Sequence, residues 1–133
     1  MSSNYSCETH KILVNVDPKF LASESHPDQS EYVWAYRVEI KNMRSEAVQL
    51  RRRHWVITDS LGRVIEVEGQ GVVGEEPIID PGSVFEYTSG TPLTTPSGIM
   101  MGVYEMERPN GEIILVKVPP FSLDSPHDKR VIN

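Results

Sequence analysis

Between residues 32 and 40 the even positions are all apolar or aromatic: Tyr32, Trp34, Tyr36, Val38 and Ile40. Arg37, Glu39 and Lys41 hold odd positions. Side chains alternate across a strand, so this run predicts a β-strand with one face on a core and the other in water. The next run, residues 48–59, changes phase along its length. Val48 and Leu50 are even, whereas Trp55 and Ile57 are odd. A straight strand would put these pairs on opposite faces, which predicts a bulge or bend between Arg51 and His54.

Further β-rich runs occupy residues 12–16, 63–68, 84–89, 99–107 and 113–118. In the run at 99–107, Met100, Gly102, Tyr104 and Met106 share one register. Turn formers separate these runs, at Asp17-Pro18, in the polar stretch 22–30, and at Asp59-Ser60-Leu61-Gly62, Asp80-Pro81-Gly82 and Arg108-Pro109-Asn110-Gly111. Asn110-Gly111 between apolar runs is a strong local hairpin signal. No helical period appears, so the pattern predicts an all-β domain of seven or eight short strands. The expected architecture is an immunoglobulin/fibronectin type III-like antiparallel β-sandwich.

The 133 residues make up one domain's worth of chain, with a core expected over 12–123 and loose tails at either end, the second over 125–133. Cys7 is the single cysteine, so no intramolecular disulfide can join the sheets. Their contact is expected to rest on Trp34, Tyr36 and Trp55. Cys7 itself reads as an inert thiol near a mobile N-terminus. An unpaired cysteine, no basic and apolar leader and no long apolar window together predict a cytoplasmic protein without membrane association. Thirteen Lys and Arg against nineteen Asp and Glu give a net charge of −6. That is the wrong sign for gripping a nucleic-acid backbone, and no nucleic-acid partner is expected.

The segment Gly69-Gln70-Gly71-Val72-Val73-Gly74 has the glycine spacing of a dinucleotide-binding turn. Glu75-Glu76-Pro77 and Asp80-Pro81-Gly82 follow it, leaving no room for the helix whose N-terminus would hold a pyrophosphate. Two readings stay open. The glycines serve a bulge or a sharp strand exchange that needs positive φ or close backbone packing, or the backbone N–H groups of Gly69, Gly71, Val72, Val73 and Gly74 form an anion-binding nest.

Arg51, Arg52 and Arg53 are the dense positive charge of an acidic chain. On a regular strand Arg51 and Arg53 would share one face, with Arg52 and His54 on the other. Arg51, Arg53 and His54 could therefore add charge to such a nest, or the run could be a solvated face paired with carboxylates such as Glu39 or Glu66. His10, His26, His54 and His127 show no ligand spacing. Glu66, Glu68, Glu75 and Glu76 read as solvated charge, so no metal site and no cofactor is expected. No Gly-x-Ser-x-Gly elbow is present, and spacing gives Ser89 and His54 no third catalytic partner.

Taken together, several ordered motifs resemble the ApaG family, bacterial proteins whose domain also occurs in some eukaryotic F-box and polymerase-interacting proteins. The resemblance rests on Tyr32-Val33-Trp34-Ala35-Tyr36, Arg53-His54-Trp55, Ile57-Thr58-Asp59, the glycine-rich segment with Pro77, and Pro81-Gly82. It continues through Phe85-Glu86-Tyr87-Thr88-Ser89-Gly90, residues 98–104 and Phe121-Ser122-Leu123. It implies a fibronectin type III-like sandwich and an association with cobalt and magnesium tolerance and with diadenosine tetraphosphate metabolism. It brings no catalytic residues with it.

The expected function is a non-enzymatic protein-interaction module. Its strand edges and loops would recognise another protein or pair with a second copy as a homodimer. The alternative expectation is a binder of pyrophosphate or a nucleotide through the glycine-rich loop and the adjacent arginines.

Overall fold

Nine strands and two single-turn 3-10 segments make up the described part of the chain, residues 5–128 of a computed structural model. The strands are β1 (Tyr5–Thr9), β2 (Ile12–Phe20), β3 (Tyr32–Asn42), β4 (Val48–Asp59), β5 (Val64–Gln70), β6 (Ile78–Ile79), β7 (Val84–Leu93), β8 (Gly98–Glu107) and β9 (Ile113–Leu123). One antiparallel sheet has the order β1-β2-β3-β7. The other runs β5-β4-β8-β9, with β6 paired to β4. The chain crosses between sheets from β3 to β4, returns with β7 beside β3, and crosses again with β8 beside β4. The result is the two-sheet sandwich that the alternation predicts.

The inner faces follow the sequence pattern. Tyr32, Trp34, Tyr36, Val38 and Ile40 are all buried, as are Trp55, Ile57, Met100, Tyr104 and Met106. Aromatic contacts join the sheets: Tyr36 of β3 meets Trp55 of β4 edge to face at 5.5 Å and Phe121 of β9 at 5.8 Å. Such pairs add about 1 kcal/mol each beyond the area they bury. The Trp34 indole N–H donates to the Asp124 carbonyl at 2.7 Å, satisfying the polar end of a ring that is otherwise in the core.

The structure moves several boundaries. Regular pairing starts at Tyr5 instead of Ile12, because Tyr5 to Thr9 form a hairpin with β2 through His10 and Lys11, both at positive φ. Cys7 therefore lies in a strand opposite Val14 and is not part of a mobile end. Strands β7 and β9 run longer than the turn residues suggested, through Pro92 and through Pro119-Pro120. Proline is tolerated there because these are edge strands of their sheets. Of the expected loose ends, residues 1–4 and 129–133 lie outside the described residues.

The phase change in β4 is a bulge. Leu50 faces Met106 and Arg52 faces Glu105, so Arg51 is the extra residue. Leu50 and Trp55 both reach the core as a result.

The two flanks of the sandwich differ. On one, β1 leans on β9: the Lys117 amide donates to Thr9 Oγ1 at 3.2 Å, and the Tyr5 and Phe121 rings meet at 6.1 Å. On the other, β5 pairs only with β4, and its inner-face Ile65 and Val67 stay 45% and 38% exposed.

Candidate functional site

Gly69 and Gln70 close β5, and the chain then folds into a four-residue turn from Val72 to Glu75. The Val72 amide donates to the Glu75 carbonyl and the Glu75 amide to the Val72 carbonyl, each at 2.9 Å. The central residues, Val73 and Gly74, have φ of 44° and 81°. Two successive positive φ values are what a type I′ turn requires. No helix runs on from Gly74. A β-branched residue at positive φ is an outlier, costing about 1–2 kcal/mol, and Val73 is also half exposed. Gly71 has φ of 61°, and a Cβ there would stand 2.1 Å from the Glu75 carbonyl oxygen.

The amides of Gly71, Val72 and Glu75 are all spent on backbone carbonyls, the first on Arg51 O at 2.8 Å. The loop instead turns carbonyls toward an arginine. Arg53 Nη1 donates to Gln70 O and to Gly71 O, both at 2.9 Å. Those two bonds hold the guanidinium across Gly69, the residue opposite Arg53 in the ladder.

Arg53, Tyr36, Trp55, Gln70, Val72, Val73, Gly74, Tyr87 and Ser89 line a cleft of about 290 Å³ between the sheets. Tyr36 and Ser89 stand opposite each other in the β3–β7 ladder. Tyr87 and Tyr104 share a hydroxyl–hydroxyl bond of 2.5 Å in the interior.

Burial pushes the pKa of Tyr36 up, against the opposing effects of the nearby Ser89 hydroxyl and of the Arg53 charge. Burial also raises Tyr87 and lifts Tyr104 well above the usual phenol range. All three therefore remain neutral hydroxyls at neutral pH. None of them neutralises Arg53.

The other described arginines are neutralised. Arg37, Arg44, Arg51, Arg52, Arg63 and Arg108 each pair with a carboxylate. Among the described residues Arg53 is the arginine with no carboxylate partner. Its Nε and Nη2 donors also lack a protein acceptor among them.

The remaining sequence candidates fall elsewhere. The bulge breaks the alternation that would have put Arg51 beside Arg53. Arg51 reaches outward to Glu107 at 2.8 Å and Glu76 at 3.0 Å, which hold its guanidinium charged. His54 Nε2 lies 2.9 Å from a Glu66 carboxylate oxygen, so His54 and Ser89 do not meet. The solvated-face reading thus describes Arg51, Arg52 and His54. Gly69, Gly71, Val72, Val73 and Gly74 do gather with Arg53. Sequence spacing points to neither Tyr36 nor Tyr87 as a site residue and considers Ser89 only as a nucleophile beside His54, although the inward parity of Tyr36 on β3 is legible. Among the described residues no three His, Cys, Asp or Glu side chains cluster as a metal site, and no helix is long and apolar enough to cross a membrane.

The family model described as the ApaG domain matches residues 22–108. Protein ApaG of Paramagnetospirillum magneticum is 57% identical over 129 residues, covering 97% of this chain and 99% of that protein. Protein ApaG of Parvibaculum lavamentivorans matches to the same extent. The crystal structure of an ApaA protein from Bordetella pertussis superposes with a TM-score of 0.84 at 42% identity, covering 96% of this chain and all of that one. The C-terminal domain of wzt, at 8% identity and a TM-score of 0.51, shares the fold alone.

Proposed function

Because this chain belongs to the ApaG domain family, we propose that it is a non-enzymatic recognition module, and that its inter-sheet cleft binds a small phosphate-bearing ligand. One observation carries this reading: Arg53, a fixed cation without a carboxylate partner among the described residues, lines a cleft together with the neutral hydroxyls of Tyr36 and Tyr87 and with Ser89. A charge-assisted bond from a preorganised guanidinium is stronger than a neutral one, and loses less side-chain freedom on binding. The glycines serve this indirectly. They let the guanidinium lie on the backbone and leave the gripping to Arg53, Tyr36 and Ser89. Pyrophosphate and nucleotides are the ligand class.

Titration calorimetry with pyrophosphate, nucleotides and diadenosine tetraphosphate tests the reading. Binding that Arg53→Ala weakens by about 1–3 kcal/mol is expected. A flat titration across the panel removes it. Unchanged diadenosine tetraphosphate after incubation with magnesium or cobalt is expected if the module is not catalytic.

A second reading, protein interaction, is favoured by a separate observation: β5 is an unpaired edge with exposed apolar side chains. In this reading the module works in the cytoplasm, where Cys7 stays a free thiol, and cobalt and magnesium tolerance follows indirectly from what it binds. Capture of a partner by in-cell cross-linking supports it. A strictly monomeric protein with no cross-linked partner counts against it.

A further inference from the structure

Among the long edge strands of the two sheets, β5 is the one with neither a proline nor a neighbouring strand of the other sheet leaning on it. Strand β1 and strand β9 lean on each other, and β9 carries Pro119-Pro120. Strand β7 carries Gly90 and Pro92. Strand β5 has neither proline nor lysine in Val64–Gln70, and pairs on one side only. Natural sheets normally blunt such an edge, because unpaired N–H and C=O groups recruit another strand.

The register shows which groups are open. Arg63 accepts from the Asp59 amide and Gly71 donates to the Arg51 carbonyl, so odd-numbered residues bond toward β4. By antiparallel alternation, Val64, Glu66 and Glu68 direct their backbone N–H and C=O to the free side. The side chains alternate as well. Ile65 and Val67 continue the inner apolar face and remain partly exposed, while Glu66 and Glu68 stand on the outer face.

The charges decide what kind of strand can add. A second copy pairing through β5 would bring two Glu66-Glu68 rows onto one face, in a chain of net charge −6. Like charges across a strand pair are destabilising, and this guards the edge against its own kind. A strand with Lys or Arg at alternate positions would instead meet Glu66 and Glu68 with opposite charge. Its intervening apolar side chains would cover Ile65 and Val67.

We propose that the β5 edge captures an extended segment of a partner protein in which basic and apolar residues alternate, by strand addition. This rests on the protein-interaction reading and names its site and the chemistry of its partner. Main-chain bonds from Val64, Glu66 and Glu68 supply the attachment, and the two side-chain rows supply specificity.

The probe is a capped ten-residue peptide of alternating Lys and Val, titrated into the full isotope-labelled chain. Amide shifts centred on Val64, Glu66 and Glu68 are expected, with affinity falling about tenfold in Glu68→Lys. Glu68 is exposed and has no ion pair among the described residues, so this variant keeps the fold. The same peptide N-methylated at alternate residues has equal charge but loses half its donors, and its binding should be at least tenfold weaker. Equal binding of the methylated peptide, shifts that avoid β5, or self-association through β5 would overturn the proposal. Cross-linking in cells separates the two levels of failure: a partner cross-linked to a different edge overturns the β5 assignment and leaves the interaction reading standing.

Discussion

Arg53 lies across the backbone of Gly69, its Nη1 2.9 Å from the point where a Cβ on that glycine would stand. The two residues face each other across the β4–β5 ladder, so the absent side chain of one makes the bed for the charge of the other. Gly69→Val should displace the guanidinium from Gln70 O and Gly71 O. The displaced atoms are the far end of a flexible side chain, so the expected stability loss is at most about 1 kcal/mol. Pyrophosphate affinity should fall nearly as far as in Arg53→Ala. Urea denaturation and calorimetry on the same sample check both halves.

Gly71 is a different case. A Cβ there meets a backbone carbonyl at 2.1 Å, at a φ of 61° that disfavours side chains. Gly71→Ala is expected to cost about 2–3 kcal/mol and to appear as a lower urea midpoint with an unchanged slope.

Val73 predicts the opposite sign. Its φ of 44° is strained for a β-branched side chain that is half exposed and gains little from burial. Val73→Gly or Val73→Asn should stabilise the fold by about 1 kcal/mol, read as a rise in thermal midpoint. If pyrophosphate binding weakens in the same variants, the turn's fixed conformation contributes to the cleft.

Arg51 and Arg53 are two residues apart but should behave as unrelated sites. Arg51→Ala removes exposed ion pairs to Glu76 and Glu107 and is expected to leave the urea midpoint nearly unchanged and to shift anion affinity by less than about twofold. A larger calorimetric effect from Arg51→Ala than from Arg53→Ala would contradict the assignment of the cleft.

The buried Tyr87–Tyr104 pair sets the alkaline limit. Burial raises both pKa values in the folded protein above the ordinary 10.0, which favours the neutral forms. Their contribution to stability is complete below pH 10 and is lost as pH climbs from there toward the folded values. Tyrosinate absorbance from this pair should therefore appear together with loss of near-ultraviolet dichroism above pH 10. Tyr87→Phe alone leaves the Tyr104 hydroxyl buried and unpaired, costing about 1–3 kcal/mol. The double Phe variant should cost less than the sum of the two single ones.

The layered β architecture was legible in the sequence because one face of β3 and β8 is apolar at period two, and β4 announced its bulge through the phase change between Leu50 and Trp55. What the pattern left open was the consequence of that bulge. Placing Arg51 in the bulge, and not merely somewhere before His54, is what sends Arg51 outward and Arg53 inward, and parity alone assigned them to one face. The glycine-rich segment advertised positive φ, yet its amides turned out to serve the turn's own bonds. Tyr36 and Ser89 join the site only through the β3–β7 register, a long-range pairing that local spacing does not encode. Strand β1 was overlooked because five residues of mixed polarity become a strand only when β2 lies beside them.

The unequal flanks make the sandwich a book bound along one spine. With β1 resting on β9 on the bound side, breathing motions concentrate at the opposite margin, where Arg53 waits and β5 stands uncovered. Amide exchange should therefore be slowest along β2, β3 and β8 and quicken toward β5. The pages would part just where a visitor has something to hold.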